Sequence, residues 1–298
     1  MSTILVVGAT GLLGNAICQQ LTADGRSVRG LVRASSDPAK VDRLNALGVE
    51  TIQGDVRERA SLDPAFQGVE AVISTVSAVP FSYVPGLNDI QTTDLDGITN
   101  LVEAAREHGA SQFIYISFTG NDGVDFPLQN AKREVERKLQ ESGLVYTILR
   151  PSFFMEVWLS PAVGFDAANA KAAIYGTGEN PISWIAVQDV AKFAVACLDH
   201  PAARNATIEL GGPDAMNPLQ VVRLFEQATG RTFEVQLVPD EALQAQQAAA
   251  TDPLQQSFSG LMRCYGLGDP VDMSAHAQSF AVPLTSLEDY VRRVATPA

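Results

Sequence analysis

Residues 4–14 constrain this chain more than any other stretch: Ile4-Leu5-Val6-Val7, then Gly8-Ala9-Thr10-Gly11-Leu12-Leu13-Gly14. Consecutive apolar, mostly β-branched residues predict a strand buried on both faces. An amphipathic helical pattern follows the glycines at once. Gly8 permits the sharp turn out of the strand, Gly11 lets a diphosphate approach the backbone, and Gly14 lets the helix lie against the sheet. The first turn of that helix offers unpaired N–H groups and the positive end of its dipole to an anion. A glycine-rich turn arising by chance has no reason to sit between such a strand and such a helix. The stretch therefore predicts a dinucleotide site, with Gly8, Thr10, Gly11, Leu12, Leu13 and Gly14 around the diphosphate.

A chain of 298 residues suffices for one large α/β domain, or for a main domain with a smaller partner. Its 46% hydrophobic and 18% charged content is that of a globular protein. The net charge of −13 argues against nucleic acid and anionic membranes as general partners. No apolar run approaches a membrane span. Met1-Ser2-Thr3 leads straight into the first strand, which predicts no signal peptide and a cytoplasmic setting. Cys18, Cys197 and Cys264 lie far apart in apolar helical patterns, as buried thiols of a reducing compartment do. His108, His200 and His276 are equally scattered, so no metal site is expected.

The first helix runs from about Leu12 to Ala23 and ends at Gly25; Ser27 to Val32 is the second strand. An acidic residue after this strand would bind the adenosine ribose hydroxyls and repel a 2′-phosphate. Arg33 stands there instead, with Lys40 a second cation within reach, so NADP(H) is preferred over NAD(H). A short helix over Val41–Leu47 precedes the third strand and its exit, Val49–Val56. Asp55 is placed at the adenine amino group, or as a backbone cap, with Val56 against the ring. Glu70–Thr75 is the fourth strand. Ligands of open parallel sheets bind outside the carboxyl ends of the strands, so Thr75, Val76 and Ser77 should border the cofactor. Ser117, Pro151 and Phe153, past the fifth and sixth strands, are placed with them. The loop Val79–Asn88, with Pro80, Phe81 and Tyr83, is long enough for a flap or a substrate wall.

Gln112–Ser117 is the fifth strand, Asn130–Ser142 a charged amphipathic helix and Val145–Pro151 the sixth strand with its exit. This alternation predicts a doubly wound parallel α/β sheet of the Rossmann type. The rhythm changes after Pro151. Trp184–Val187 reads as a short strand, Asp189 as the cap of a helix, and Pro218 as the start of another that Gly230 ends. Residues 1–154 are thus assigned to the dinucleotide-binding domain, with 184–210 packing back onto it. Residues 155–183 and 211–298 form a smaller, mostly helical C-terminal substrate domain.

The glycine stretch, Leu31-Val32-Arg33, Gly54-Asp55, Ala131-Lys132 through Leu139, and Thr147-Ile148-Leu149-Arg150-Pro151 together resemble an atypical short-chain dehydrogenase/reductase. The nearest subgroup is the NmrA-like one, similar to isoflavone-reductase-type enzymes and NADPH–quinone oxidoreductases. Trp184–Ala191 and Leu210-Gly211-Gly212-Pro213 extend the match, which reaches to about residue 230. The resemblance implies that Lys132 is catalytic and binds the nicotinamide ribose. It also implies a tyrosine four residues earlier, where this chain has Leu128, and a serine or threonine where it has Phe118, with Thr119 beside it. Without those hydroxyls, only a lysine remains to meet negative charge on the acceptor.

Hydride transfer needs the protein mainly for orientation, exclusion of water and charge stabilisation, since the nicotinamide carries the chemistry. Lys132 can donate to the developing oxyanion; the plain alternative is a solvent-facing lysine among the charges of its helix. A small apolar or aromatic substrate is expected, with Tyr83, Phe118, Phe126, Phe154 and Trp158 around a flat pocket, although aromatics taken singly are more often core. The first reading is an NADPH-dependent reductase of a quinone, enone or aromatic ketone. The second is a non-catalytic, NmrA-like NADP(H)-binding redox sensor. A homodimer is compatible with either. Epimerase or dehydratase chemistry needs a tyrosinate base and fits Leu128 poorly.

Overall fold

The computed structural model describes residues 3–79 and 82–295; Met1, Ser2, the Pro80 and Phe81 of the expected flap, and 296–298 lie outside the described residues. Contacts divide the chain into two compact units. The first holds Met1–Ser117, Pro127–Arg150 and Ala191–Ile208, and the second Phe118–Phe126, Pro151–Val190 and Glu209–Ala298.

In the first unit β1 (Thr3–Val7) is followed by α1 (Leu12–Ala23), β2 (Ser27–Val32), α2 (Pro38–Ala46), β3 (Glu50–Gln53) and β4 (Val69–Ser74). The expected helix over Ser61–Phe66 is two short 3-10 turns, Arg59–Ser61 and Asp63–Phe66. A π-helical segment, Ile90–Gly97, then leads into α3 (Ile98–Glu107), β5 (Gln112–Ile116), α4 (Pro127–Glu141) and β6 (Val145–Pro151). The Ile4 to Val7 side chains are all buried, as the unbroken apolar run predicts. β1 pairs in parallel with β2 on one side and β4 on the other, and β2–β3, β4–β5 and β5–β6 are parallel too. With β9 (Ala206–Leu210), named out of chain order because it closes the edge, the seven-stranded order is β3-β2-β1-β4-β5-β6-β9. The order reverses between β1 and β4, the switch point at which such sheets take ligands. One face carries a continuous apolar core of Leu5, Val7, Val72, Phe113 and Tyr115 against Ile98, Leu101, Val102, Val135 and Leu139 of α3 and α4.

The second unit contains α5 (Met155–Trp158), β7 (Phe165–Asp166), β8 (Lys171–Tyr175), the first residues of α6 (Val187–Ala196), α7 (Pro218–Thr229), β10 (Glu234–Val238), α8 (Asp240–Ala249), α9 (Pro253–Leu267), α10 (Ser274–Phe280) and α11 (Leu287–Ala295). Helices dominate it, but it also holds a three-stranded sheet in the order β10-β8-β7. These strands escape sequence reading because β7 is only two residues long and β10 is largely exposed, so neither shows an apolar run. Trp184–Val187 is not a strand. Ile182 and Ile185 make single bridges, and α6 already begins at Val187. Asp189 therefore lies inside the first turn, where its carboxylate accepts from the Thr285 N–H at 2.6 Å.

The contact division differs from the boundaries expected from sequence at residues 118–126, 151–154, 184–190 and 209–210, and local packing explains the first and the third. Residues 118–126 belong with the second unit because a Cβ on Gly260 of α9 would lie 2.4 Å from the Phe126 ring, and Gln247 donates to the Asp125 carbonyl at 2.7 Å. Residues 184–190 belong there because Trp184 Nε1 donates to the Met216 carbonyl at 2.8 Å and Ile185 bridges to Phe154. Among the described residues no helix is long and apolar enough to cross a membrane, and no group of three His, Cys, Asp or Glu could hold a metal ion.

Candidate active site

The β1–α1 turn is built for close approach. Gly8 has φ +89°, and a Cβ there would lie 2.5 Å from Thr75 Oγ1. A Cβ on Gly14 would lie 2.2 Å from the Gly8 carbonyl oxygen, so only glycine lets α1 pack this tightly on the turn. Gly11 occupies the N-cap, where no side chain caps the first-turn N–H groups and no acidic residue precedes them. Gly11 and Leu12 are exposed, Leu12 by 56%, while Thr10 and Leu13 are half-buried. A bare helix N-terminus with exposed backbone and no competing carboxylate fits a diphosphate.

At the end of β2, Arg33 is half-buried and its Nη1 donates to Asn88 Oδ1 at 3.1 Å. Asn88 is 4% exposed; its Oδ1 also accepts from Thr93 Oγ1 at 2.9 Å, and its amide donates to Ser82. Arg33 is thus held by a buried, uncharged amide and not by a carboxylate, as binding a phosphate requires. Lys40 is exposed on α2. Of the two roles expected for Asp55, the backbone cap is present: Oδ1 accepts from the Arg57 N–H at 3.0 Å, and its oxygens also accept from Arg57 Nε at 2.9 Å and Arg57 Nη2 at 2.5 Å. That hydrogen-bonded guanidinium holds the carboxyl below the usual carboxylate range. Val56 is buried, and a Cβ on Gly97 would lie 2.7 Å from its Cγ2.

Thr75, Val76 and Ser77 are half-buried past the end of β4, with Thr75 Oγ1 donating to the Val7 carbonyl at 3.2 Å. Ser117 is buried and already committed: its hydroxyl donates to Glu136 Oε1 at 2.5 Å. Glu136 also takes Arg133 Nη1 at 2.8 Å and both ends of the Arg150 guanidinium. Sequence reading missed Glu136, although Leu128, Lys132, Glu136 and Leu139 share one helical stripe and that stripe is buried.

Lys132 is only 6% exposed, which rules out the solvent-facing alternative. Its Nζ lies 5.3 Å from the centroid of the Tyr115 ring, near the end of β5. Burial pushes the ammonium below the ordinary lysine range, and the charges of Asp94 and Glu136 push it back up. Asp94 and Tyr115 were also missed. Asp94 is fully buried in the π-helical segment, and its Oδ2 accepts from the Ala78 N–H at 3.0 Å. The visible signal was an acid on the apolar spacing Ile90, Asp94, Gly97, Ile98, Leu101. Leu128, at the tyrosine position, is buried as an apolar contact.

Among the aromatics expected to line a substrate pocket, Tyr83 belongs to the first unit and the other four to the second. Phe126 is core, packed on Gly260. Phe118, 6.1 Å from Phe126 between ring centroids, is half-buried, as are Phe154 and Trp158. Trp158 meets Phe153 edge-on at 4.7 Å and stacks on Tyr265 at 5.4 Å, so Phe153 belongs to an aromatic cluster of the second unit. Pro151 is buried, and its carbonyl accepts from the Thr119 N–H at 3.2 Å. The Thr119 hydroxyl donates to Asp269 Oδ2 at 2.6 Å; burial raises the Asp269 carboxyl above the ordinary range. Cys18 and Cys197 are buried, with thiols pushed up to about 12, and take no part.

A doubly wound sheet with a bare glycine turn at its switch point and a buried lysine past β5 defines a dinucleotide-binding fold of the short-chain dehydrogenase/reductase kind. The NmrA-like family model matches residues 1–291, and the chain belongs to that family. It is 32% identical over 271 residues to an NAD(P)H azoreductase of Xenophilus azovorans, covering 90% of this chain and 87% of that one. It is 31% identical over 243 residues to the photosystem II assembly factor Ycf39 of Trieres chinensis, covering 80% and 72%. Among solved structures, the NADPH-dependent quinone oxidoreductase QOR2 of Escherichia coli, complexed with NADPH, superposes with a TM-score of 0.76 at 24% identity, covering 98% of this chain and all of that one.

Proposed function

We propose that this chain is an NADPH-dependent reductase of flat, apolar electrophiles such as quinones, enones or aromatic ketones. The observation that carries the reading is the burial of Lys132 at the carboxyl edge of the sheet, with no direct ion pair among the described residues. A buried ammonium without a salt-bridge partner is costly unless it has work to do. The bound nicotinamide would supply hydride. The first-turn N–H groups of α1 would hold the diphosphate, and Arg33 the 2′-phosphate. Lys132 would donate to the nicotinamide ribose and to the oxygen on which negative charge develops. A quinone or enone suits a site with Leu128 in place of a tyrosine, because its reduced anion is comparatively stable and water can complete the protonation.

One observation favours a second reading. The absent tyrosine, together with similarity to an assembly factor, fits a protein that binds NADP(H) and acts through a partner instead of by turnover. Consumption of NADPH with a panel of quinones, aromatic enones and an azo dye separates the two. The reductase reading expects turnover on at least one acceptor, falling about 100-fold or more in Lys132→Ala with NADPH affinity largely kept. NADPH binding with no turnover on any acceptor would move the assignment to the second reading. Turnover unaffected by Lys132→Ala would remove Lys132 from the mechanism.

A further inference from the structure

Among the described residues, three buried side-chain oxygens of the first unit have no hydrogen-bond partner: Ser74 Oγ, Asp94 Oδ1 and Tyr115 Oη. Ser74 and Tyr115 are register partners on β4 and β5, so both side chains leave the same face of the sheet. Tyr115 carries the Lys132 ammonium over its ring, and the Asp94 and Lys132 charges act on each other. Folded proteins leave few buried polar atoms unpaired, and a carboxylate oxygen is among the most expensive to leave so. A carboxylate kept for structure alone would be saturated with donors or closed in a contact ion pair. Asp94 is neither.

The groups facing Lys132 are few. Asp94 approaches from the π-helical segment, the Tyr115 phenol from β5, and Glu136 and Arg133 from α4 itself. Glu136 is already neutralised by Arg133 and Arg150. Asp94 alone among these carboxylates has no arginine. Its placement is also specific. Asp89 and Thr92 close a capping box at the start of the π-helical segment, and Gly97 seats its end against Val56. A π turn is an uncommon local geometry that concentrates at functional sites, and here it carries the one acid of the buried stripe.

We propose that Asp94 is the positioning residue for Lys132, the buried counter-charge that keeps it an ammonium on the face of Tyr115 and ready for the acceptor's oxygen. The proposal rests on the reading of Lys132 given above. Each group holds the other's charge. Burial pushes the Asp94 carboxyl up and the Lys132 ammonium down, and their mutual attraction opposes both movements. Lys132 loses its proton as pH rises. Removing the negative charge of Asp94 brings that loss to lower pH.

Lysine is rare in this chain (Lys40, Lys132, Lys138, Lys171 and Lys192), so NMR of protein labelled with ¹³C-lysine can follow the Lys132 Cε directly, with Lys132→Arg as the assignment control. The expected result is that Asp94→Asn lowers the Lys132 titration midpoint by about one pH unit or more. The alkaline limb of kcat for NADPH-dependent quinone reduction moves with it. Asp94→Glu restores most of the shift. An unshifted Lys132 resonance in a folded Asp94→Asn protein overturns the proposal, whatever happens to the rate. A shifted resonance with a stationary kcat limb upholds the pairing and instead overturns the catalytic reading of Lys132. If Asp94→Asn does not fold, the wild type decides: the Asp94 Cγ and Lys132 Cε resonances must each sense the other's ionisation, and independent titrations overturn the pairing.

Discussion

Glu136 shows how much a single side chain holds in this fold. It is 3% exposed and takes donors from Ser117, Arg133 and Arg150. Burial alone would raise its carboxyl, but hydrogen bonds from Arg150 and Ser117 and the two guanidinium charges hold it below the ordinary glutamate range. A depressed folded-state value contributes stability above the unfolded pKa, and that contribution disappears as pH falls through the folded one. Glu136→Gln is therefore expected to cost on the order of 3 kcal/mol near neutral pH, by leaving two guanidinium groups without their partner. The cost should shrink on acidification. Chemical denaturation at several pH values checks this, and an equal loss at every pH would contradict it. Glu136 also shows why residue roles were only partly legible. The helix Pro127–Glu141 carries so many charges that its polar face looks solvated, and only the buried sheet beneath reveals which acid and which lysine turn inward.

At the scale of elements, the β1–α1 turn was fully legible because each requirement is local: an apolar strand, glycines at fixed offsets, and an amphipathic helix. Gly14→Ala tests it. The new Cβ would meet the Gly8 carbonyl at 2.2 Å, and backbone cannot yield as a flexible side chain does. The variant is expected to lose about 1–3 kcal/mol of stability and to bind NADPH at least tenfold more weakly, read by thermal unfolding with and without nucleotide. Wild-type affinity would contradict the tight packing. Other elements were less visible for identifiable reasons. The strand expected at Trp184–Val187 is a single bridge, Ile185 to Phe154, because the chain there finds a partner at one residue only. β8 and β10 pair across about sixty residues of chain, a non-local contact that no window of sequence displays. The π-helical segment has no sequence signature beyond an acid on an apolar stripe.

At the scale of the molecule, the alternation of strand and helix through Pro151 was enough to give the sheet and its switch point, while the division of the chain into units was not. Residues 118–126 interrupt the first unit between β5 and α4, and their membership depends on Phe126 meeting Gly260, residues distant in sequence. Asp55 likewise meets Arg57, two residues on, through both its backbone N–H and its guanidinium, a pairing that sequence reading did not foresee. What survives is a sheet whose carboxyl edge bears a bare glycine turn, an arginine held by Asn88 and a buried lysine. Calorimetric titration of the full chain with NADPH and NADH tests that arrangement most directly, with Arg33→Asp run alongside. NADPH should bind at least tenfold more tightly than NADH, and the Arg33→Asp protein should lose most of that preference. Absence of binding by either nucleotide to folded wild-type protein would contradict the account at its base.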